Sequence, residues 1–269
     1  MKLIDEQIKI DGTDYRILRG GKKGSTPVLF LHGWGSKAER YRDAFEFVSD
    51  DFGEVVIPDL PGFGFAPIPL TVWGIKEYAD WVNKLINKLG WTTLILAGHS
   101  FGGRLTIYIA SQQPAMLKGI VLYATAGTTK RNQSRLSFFN ILAKTGKAIM
   151  RLPGLHFFYP IAEKILYKIA GSTDYLYAGE KREIFKKIIS EDLSALVNKI
   201  IAPTRLLWGE NDYETPVSDA EYICNTIKGS KLRIIPNEGH AIHARNPELF
   251  AKEFSMLVEQ LSVEVKHNE

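Results

Sequence analysis

Several features that would settle a protein's class at once are missing or scarce here. The 269 residues include one cysteine, Cys224. No intrachain disulfide can form, and a disulfide-stapled secreted scaffold is excluded. Cys224 lies in an apolar helical context, Ala220-Glu221-Tyr222-Ile223-Cys224, and reads as inert packing. No segment approaches the ~18 uninterrupted apolar residues of a membrane span. The opening residues, MKLIDEQIKIDG, put acids where a signal peptide needs an apolar run. The expectation is a soluble, cytoplasmic protein with no stable membrane anchor. Charge of one sign is also scarce: the formal balance is +4, too small to call for a nucleic-acid partner. There is no internal repeat, linker or low-complexity tract, and nothing in the composition bears on oligomeric state.

What is present is an ordinary globular composition, 45% hydrophobic and 24% charged, in a chain long enough for one large α/β domain or a domain with an insertion. Gln7–Gly12 and Tyr15–Arg19 alternate and predict a hairpin. The glycine-rich Gly20-Gly21-Lys22-Lys23-Gly24 lacks the spacing of a phosphate loop and no helix follows it, so it reads as a solvated turn. Continuous apolar runs at Val28–Leu31, Glu54–Ile57, Thr93–Ala97 and Ile120–Tyr123 predict strands covered on both faces. Helical patterns lie between them, at Ala38–Asp50, Val72–Leu89 and Gly102–Lys118. From residue 126 to 200 there are helix-like stretches and no convincing strand. The alternation then resumes with Thr204–Trp208, Asp219–Lys228, Leu232–Ile235 and Pro247–Val263. This rhythm predicts an α/β fold: a mostly parallel sheet of about eight strands with helices on both faces. The core domain is expected to comprise 1–125 and 201–269, with a helical cap over 126–200.

The chemistry concentrates in LILAGHSFGGRL, residues 94–105. A buried strand runs into Gly98-His99-Ser100-Phe101-Gly102 and a helix follows. Glycines two residues before and after a serine permit a very tight strand-to-helix turn, where larger side chains would collide with backbone. Such a turn lifts the hydroxyl above the sheet edge at a helix N-terminus, where free N–H groups favour developing negative charge. The bland alternative is a plain glycine-rich turn, and the spacing alone would not exclude it. The strand before and the helix after are the context a nucleophile elbow requires.

Four further segments stand in a telling order: Leu31-His32-Gly33-Trp34-Gly35, Asp59-Leu60-Pro61-Gly62-Phe63-Gly64, Trp208-Gly209-Glu210-Asn211-Asp212 and Glu238-Gly239-His240. Together with the elbow they make the sequence resemble the α/β-hydrolase family over nearly its whole length. The resemblance implies the catalytic order Ser, acid, His, which Ser100, Asp212 and His240 satisfy. A serine hydroxyl near neutral pH needs a base, and the base needs an orienting partner. His240 follows Gly239 after a predicted strand, so it belongs to a loop at the strands' C-terminal ends. His243 is its rival. Asp212 ends the strand through Trp208; Glu210, Glu214 and Asp192 are alternatives, and a mere helix-capping role is the bland reading. By the family pattern the oxyanion hole is made by the backbone N–H groups of Trp34 and Phe101. His32 is expected to shape the oxyanion loop and Asp59 to fix a turn. No metal or organic cofactor is expected.

The 126–200 insertion carries thirteen Lys and Arg against six acids. A solvated helix face explains that excess, with an anionic substrate or anionic lipid as alternatives. Its aromatics, Phe138, Phe139, Phe157, Phe158, Tyr159, Tyr167, Tyr175, Tyr177 and Phe185, are mainly core; any that face inward would line an apolar pocket. The implied activity is carboxylic ester hydrolysis through an acyl-serine intermediate, on a small to medium apolar acyl or aromatic ester. The alternatives are a carbon–carbon bond hydrolase of dienoate-type ring-cleavage products and, in a different class, a receptor-like ligand-binding protein of the same fold.

Overall fold

Alternate residues of each apolar run feed opposite faces of one sheet. Leu29, Leu31, Leu94, Leu96, Ile120, Leu122, Leu206 and Trp208 belong to one buried cluster. Val28, Phe30, Ile95, Ala97, Val121, Tyr123 and Leu207 belong to another. Continuous hydrophobicity is what a period of two requires when both faces are covered. The computed structural model describes residues 1–22, 24–48, 53–128 and 178–268.

Eight strands are present: β1 (Ile4–Ile10), β2 (Thr13–Gly20), β3 (Val28–Leu31), β4 (Val55–Pro58), β5 (Leu94–His99), β6 (Leu117–Tyr123), β7 (Thr204–Gly209) and β8 (Lys231–Ile235). Their order is β1-β2-β4-β3-β5-β6-β7-β8. β1 and β2 form an antiparallel hairpin laid antiparallel on β4, and β3 to β8 are parallel. The chain leaves β3 towards β4 on one side and returns to β5 on the other. That reversal is where open α/β sheets place their ligands, beyond the strands' C-terminal ends.

Helices α2 (Ile75–Leu89), α3 (Phe101–Ser111) and α6 (Val217–Thr226) cover the first face. The other face is covered by α1 (Arg42–Glu46), entered through a 3₁₀ turn at Ala38–Tyr41, and by α8 (Pro247–Asn268). A one-turn helix, α7 (Ile242–Arg245), precedes α8. α2 begins at Ile75 rather than Val72. The Glu77 carboxylate accepts the Gly74 N–H at 2.6 Å, fixing the first turn there. α3 stops at Ser111, short of Lys118, because Gln113 takes φ +53° and Pro114 follows. β6 therefore starts three residues earlier than expected.

Of the expected insertion, residues 129–177 lie outside the described residues, with all the aromatics named above except Phe185. The described return, 178–200, is helical: a 3₁₀ turn at Gly179–Lys181, α4 (Arg182–Ser190) and α5 (Ser194–Val197). It is fastened to the core by polar contacts. Lys181 Nζ donates to the Gly62 carbonyl at 2.8 Å, and Arg104 on α3 donates to the carbonyls of Ile188 and Glu191. Among the described residues no helix is long and apolar enough to cross a membrane.

Candidate active site

Ser100 joins β5 to α3 with φ +50° and ψ −107°, a conformation costing on the order of 1–3 kcal/mol for a non-glycine residue. Surrounding backbone holds it there. Ser100 N donates to the Tyr123 carbonyl at 2.9 Å, and the Ser100 carbonyl accepts from Arg104 N at 3.2 Å. The glycines are required by close approach. A Cβ on Gly98 would fall 2.3 Å from the Gly102 carbonyl carbon, and one on Gly102 would fall 2.1 Å from the Leu31 carbonyl oxygen. Both flanking positions of the motif are thus closed to any side chain, and the turn presses against the end of β3.

Asp212 and His240 meet. His240 Nδ1 and Asp212 Oδ2 are 2.8 Å apart, and the Asp212 side chain is fully buried. Oδ2 also accepts from Thr215 Oγ1 at 2.8 Å, while Oδ1 accepts from the N–H groups of Glu214 and Thr215, each at 2.9 Å. Four donors therefore satisfy a buried carboxyl group that would be costly to leave unpaired away from water. With its Nδ1 proton given to Asp212, the imidazole keeps Nε2 for a substrate-side proton. Nε2 lies 3.6 Å from Glu214 Oε2. Among the described residues no hydrogen bond joins Ser100 Oγ to His240. The ring is nonetheless a neighbour of the elbow, since its centroid lies 4.7 Å from that of His99.

The loop after β3 lies against the elbow. A Cβ on Gly33 would sit 3.5 Å from Ser100 Cβ. Gly33 O accepts from Ser36 N at 3.2 Å across a turn, with Trp34 at its second position. Phe101 N opens α3 and Trp34 N lies in the turn; neither donates to a backbone group among the described residues. His32 ties this loop to the one after β4: its Nδ1–H donates to the Gly33 carbonyl at 2.8 Å and its Nε2 accepts from Leu60 N at 3.0 Å. Burial lowers its pKa to about 4, so it stays neutral in that tautomer. Asp59 is a turn-fixing acid as expected, accepting from Ala38 N at 2.7 Å and Phe65 N at 3.0 Å. The Trp34 ring contacts Phe63, Phe101 and Phe185 at 4.8, 5.6 and 4.9 Å between centroids. The loop and the insertion's return thus share an aromatic wall, with the Lys181 ammonium 4.6 Å over Phe63.

The rival residues have other occupations. His243 is buried, stacked on Tyr41 at 4.1 Å, with Nδ1 3.0 Å from the Tyr123 hydroxyl. Burial drives its pKa down to about 3. Glu210 accepts from Asn237 N, and Asp192 accepts from Ser194 N and Oγ. His99, foreseen only as an elbow residue, is tied on both ring nitrogens, to the Tyr41 hydroxyl at 2.8 Å and the His240 carbonyl at 3.0 Å. Tyr41 and Thr215 escape a sequence reading: the first sits in an apolar helical pattern, the second in a polar turn. Among the described residues no group of His, Cys, Asp or Glu could hold a metal ion.

Known proteins fit this arrangement. A model of the alpha/beta hydrolase fold matches residues 26–154. Monoacylglycerol lipase abhd6-A of Xenopus laevis is 26% identical over 255 residues, 87% of this chain and 75% of that one. A pimeloyl-[acyl-carrier protein] methyl ester esterase of Neisseria meningitidis is 27% identical over 248 residues, 86% of this chain and 93% of its own. Among solved structures, a putative lipase from Acinetobacter baumannii superposes with TM-score 0.75 at 19% identity, covering 99% of this chain and 93% of that one. A thermophilic esterase from Thermogutta terrifontis does so with TM-score 0.70 at 20% identity, covering 97% of this chain and 100% of its own. Strand order, the five motifs and these likenesses agree: the chain has the α/β-hydrolase fold, and its sequence is similar to lipases and esterases that share it.

Proposed function

We propose that this chain is a serine carboxylic-ester hydrolase. Ser100 is the nucleophile, His240 its base, Asp212 the orienting acid, and the N–H groups of Trp34 and Phe101 the oxyanion hole. The observation that carries the reading is the buried Asp212–His240 pair, joined at 2.8 Å and set beside a serine held at φ +50°. Ser100 Oγ attacks the ester carbonyl carbon as its proton passes to His240 Nε2. The carbonyl oxygen becomes an oxyanion facing the two N–H groups, and the C–O bond to the alkoxide then breaks. That alkoxide leaves with the proton from His240, and a water repeats the sequence on the acyl-serine. Relatives named as a lipase and an ester esterase support ester chemistry over other hydrolyses.

Residues 126–200 act as a cap. Its described return contributes Phe185 to the wall around Trp34, which favours an apolar acyl or aromatic group next to the scissile bond. The test is hydrolysis of p-nitrophenyl esters of graded chain length, with a lactone and a dienoate included, by the wild type and Ser100→Ala. Ester turnover should vanish in Ser100→Ala while the far-ultraviolet dichroism is kept. Undiminished turnover would remove the serine from the mechanism. A preference for the dienoate would move the assignment to carbon–carbon cleavage.

A further inference from the structure

The elbow histidine is wired in a way that triad chemistry does not call for. Gly33 N–H points at the Tyr41 hydroxyl oxygen at 3.2 Å, that hydroxyl lies 2.8 Å from His99 Nδ1, and His99 Nε2 lies 3.0 Å from the His240 carbonyl. For a neutral His99 ring the proton inventory allows one ordering. A backbone N–H can only donate and a carbonyl can only accept. Tyr41 therefore accepts from Gly33 and gives its single proton to Nδ1. Nδ1 is unprotonated, and Nε2 carries the hydrogen offered to His240. Every link is a donor meeting an acceptor, from the loop that holds Trp34 to the loop that holds the proposed base. Ser100 is covalently next to the middle of this chain.

We infer that Tyr41 and His99 form a positioning pair, which holds the oxyanion loop and the histidine loop at one spacing across Ser100. This inference rests on the serine-hydrolase reading above. The pair is enclosed. Tyr41 is fully buried and His99 is 5% exposed. The His99 ring packs on Tyr123 at 4.3 Å, and Tyr41 stacks on His243 at 4.1 Å. A Cβ on Gly33 would lie 3.0 Å from His99 Nδ1, so the loop rests directly on the ring. Burial, reinforced by the neighbouring His240 and His243, holds His99 well below the ordinary imidazole range. It remains the neutral tautomer that the chain requires. A protonated His99 would reverse the link, with Nδ1–H donating to the Tyr41 oxygen and the Tyr41 proton left without its acceptor. Neither residue reaches the substrate. Gly33 directs the N–H of the next residue, Trp34, and the His240 carbonyl fixes the backbone from which the imidazole projects. Losing the pair should therefore be felt when the tetrahedral intermediate forms, more than when the ester binds.

The test is Tyr41→Phe, which removes one buried oxygen, beside His99→Ala, His99→Asn and His99→Gln. Asparagine restores an acceptor near the Nδ1 position, and glutamine restores a donor near the Nε2 position. For Tyr41→Phe we expect kcat on a p-nitrophenyl ester to fall about 10-fold with KM changed less than twofold. Inhibition by phenylboronic acid, which mimics the tetrahedral state on serine, should weaken in parallel. The asparagine and glutamine variants should each recover part of the loss seen in alanine. A folded Tyr41→Phe enzyme with wild-type kcat overturns the pair. So do losses that only follow the melting temperature, or amide variants no better than alanine. Ser100→Ala belongs in the same series. If it is dead while Tyr41→Phe is unimpaired, the pair alone fails; if it still turns over, the serine reading fails and takes the pair with it.

Discussion

At the proposed base, Thr215 offers a single oxygen with which orientation can be tested apart from proton transfer. Its hydroxyl shares Asp212 Oδ2 with His240 Nδ1, and its own N–H serves Oδ1. Thr215→Val keeps the shape and the N–H while removing one of the two donors on Oδ2. A hydrogen bond to a charged group contributes about 1.5–3 kcal/mol. We expect kcat/KM to fall at least ~10-fold, the equivalent of ~1.4 kcal/mol of barrier. Asp212→Asn should lose considerably more, because it removes the charge that accepts the imidazole proton. Steady-state kinetics on one ester would check both, and equal losses would contradict the division of roles. Asp212 and His240 were legible because short motifs at strand ends carry their own backbone geometry. Thr215 and Tyr41 were not, because a hydroxyl's partner depends on which loops meet. Nothing in the spacing brings residue 41 to residue 99.

At the scale of elements, the insertion's return is held by a buried cation rather than by apolar contact alone. Arg104 lies one turn into α3, is 6% exposed, and donates to the Ile188 and Glu191 carbonyls at the end of α4. Burial lowers its pKa to about 10, which leaves it charged at neutral pH. The Glu191 carboxylate lies 3.3 Å from Ile75 N, at the first turn of α2. Three helices thus converge on one junction beneath the wall that includes Phe185. Arg104→Met preserves the aliphatic volume and strands the Glu191 carbonyl, while the Ile188 carbonyl keeps the Glu191 N–H at 3.3 Å. At about 1–3 kcal/mol per unsatisfied buried group, it should cost ~1–3 kcal/mol, read as a lower urea midpoint. KM should also rise as α4 loosens against Trp34. An unchanged midpoint would mean that water serves that carbonyl equally well. This junction was invisible in the sequence, where nothing brings residue 104 to residues 188 and 191. The strands were legible, since apolar runs report two-sided burial directly. Helix ends were not: Ala115, Met116 and Leu117 continue a helical pattern past Pro114, and the chain had already left α3 at Ser111.

The whole molecule carries a pH liability that follows from burying imidazoles to build the site. His32, His99 and His243 are all buried in neutral form, with His32 lowered to about 4, His243 to about 3, and His99 well below its usual range, in each case chiefly by burial. Unfolding returns each to an ordinary pKa near 6.5. Below that pH the unfolded chain binds up to three protons that the folded one refuses, so stability must fall as pH drops. Above it neither state is protonated at these positions, and they leave stability flat. The slope is about 1.4 kcal/mol per pH unit for each proton. Three coupled histidines give ~4 kcal/mol per unit once the pH is well under 6.5, until folded His32 begins to protonate. Asp5, Glu39 and Glu77, held below their usual values chiefly by Arg16, by Arg42 and by the Gly74 N–H respectively, add their losses only at lower pH, in the carboxylate range. Urea unfolding between pH 7.5 and 4.5 should therefore show a plateau and then a steep decline that precedes carboxylate titration. His243→Asn should reduce that slope by about a third, because one of the three protons is removed from the balance. A stability that stays level from pH 7 to pH 5 would mean that these rings already take up protons in the folded protein. The neutral tautomer ordering through Tyr41 and His99 would then be lost as well.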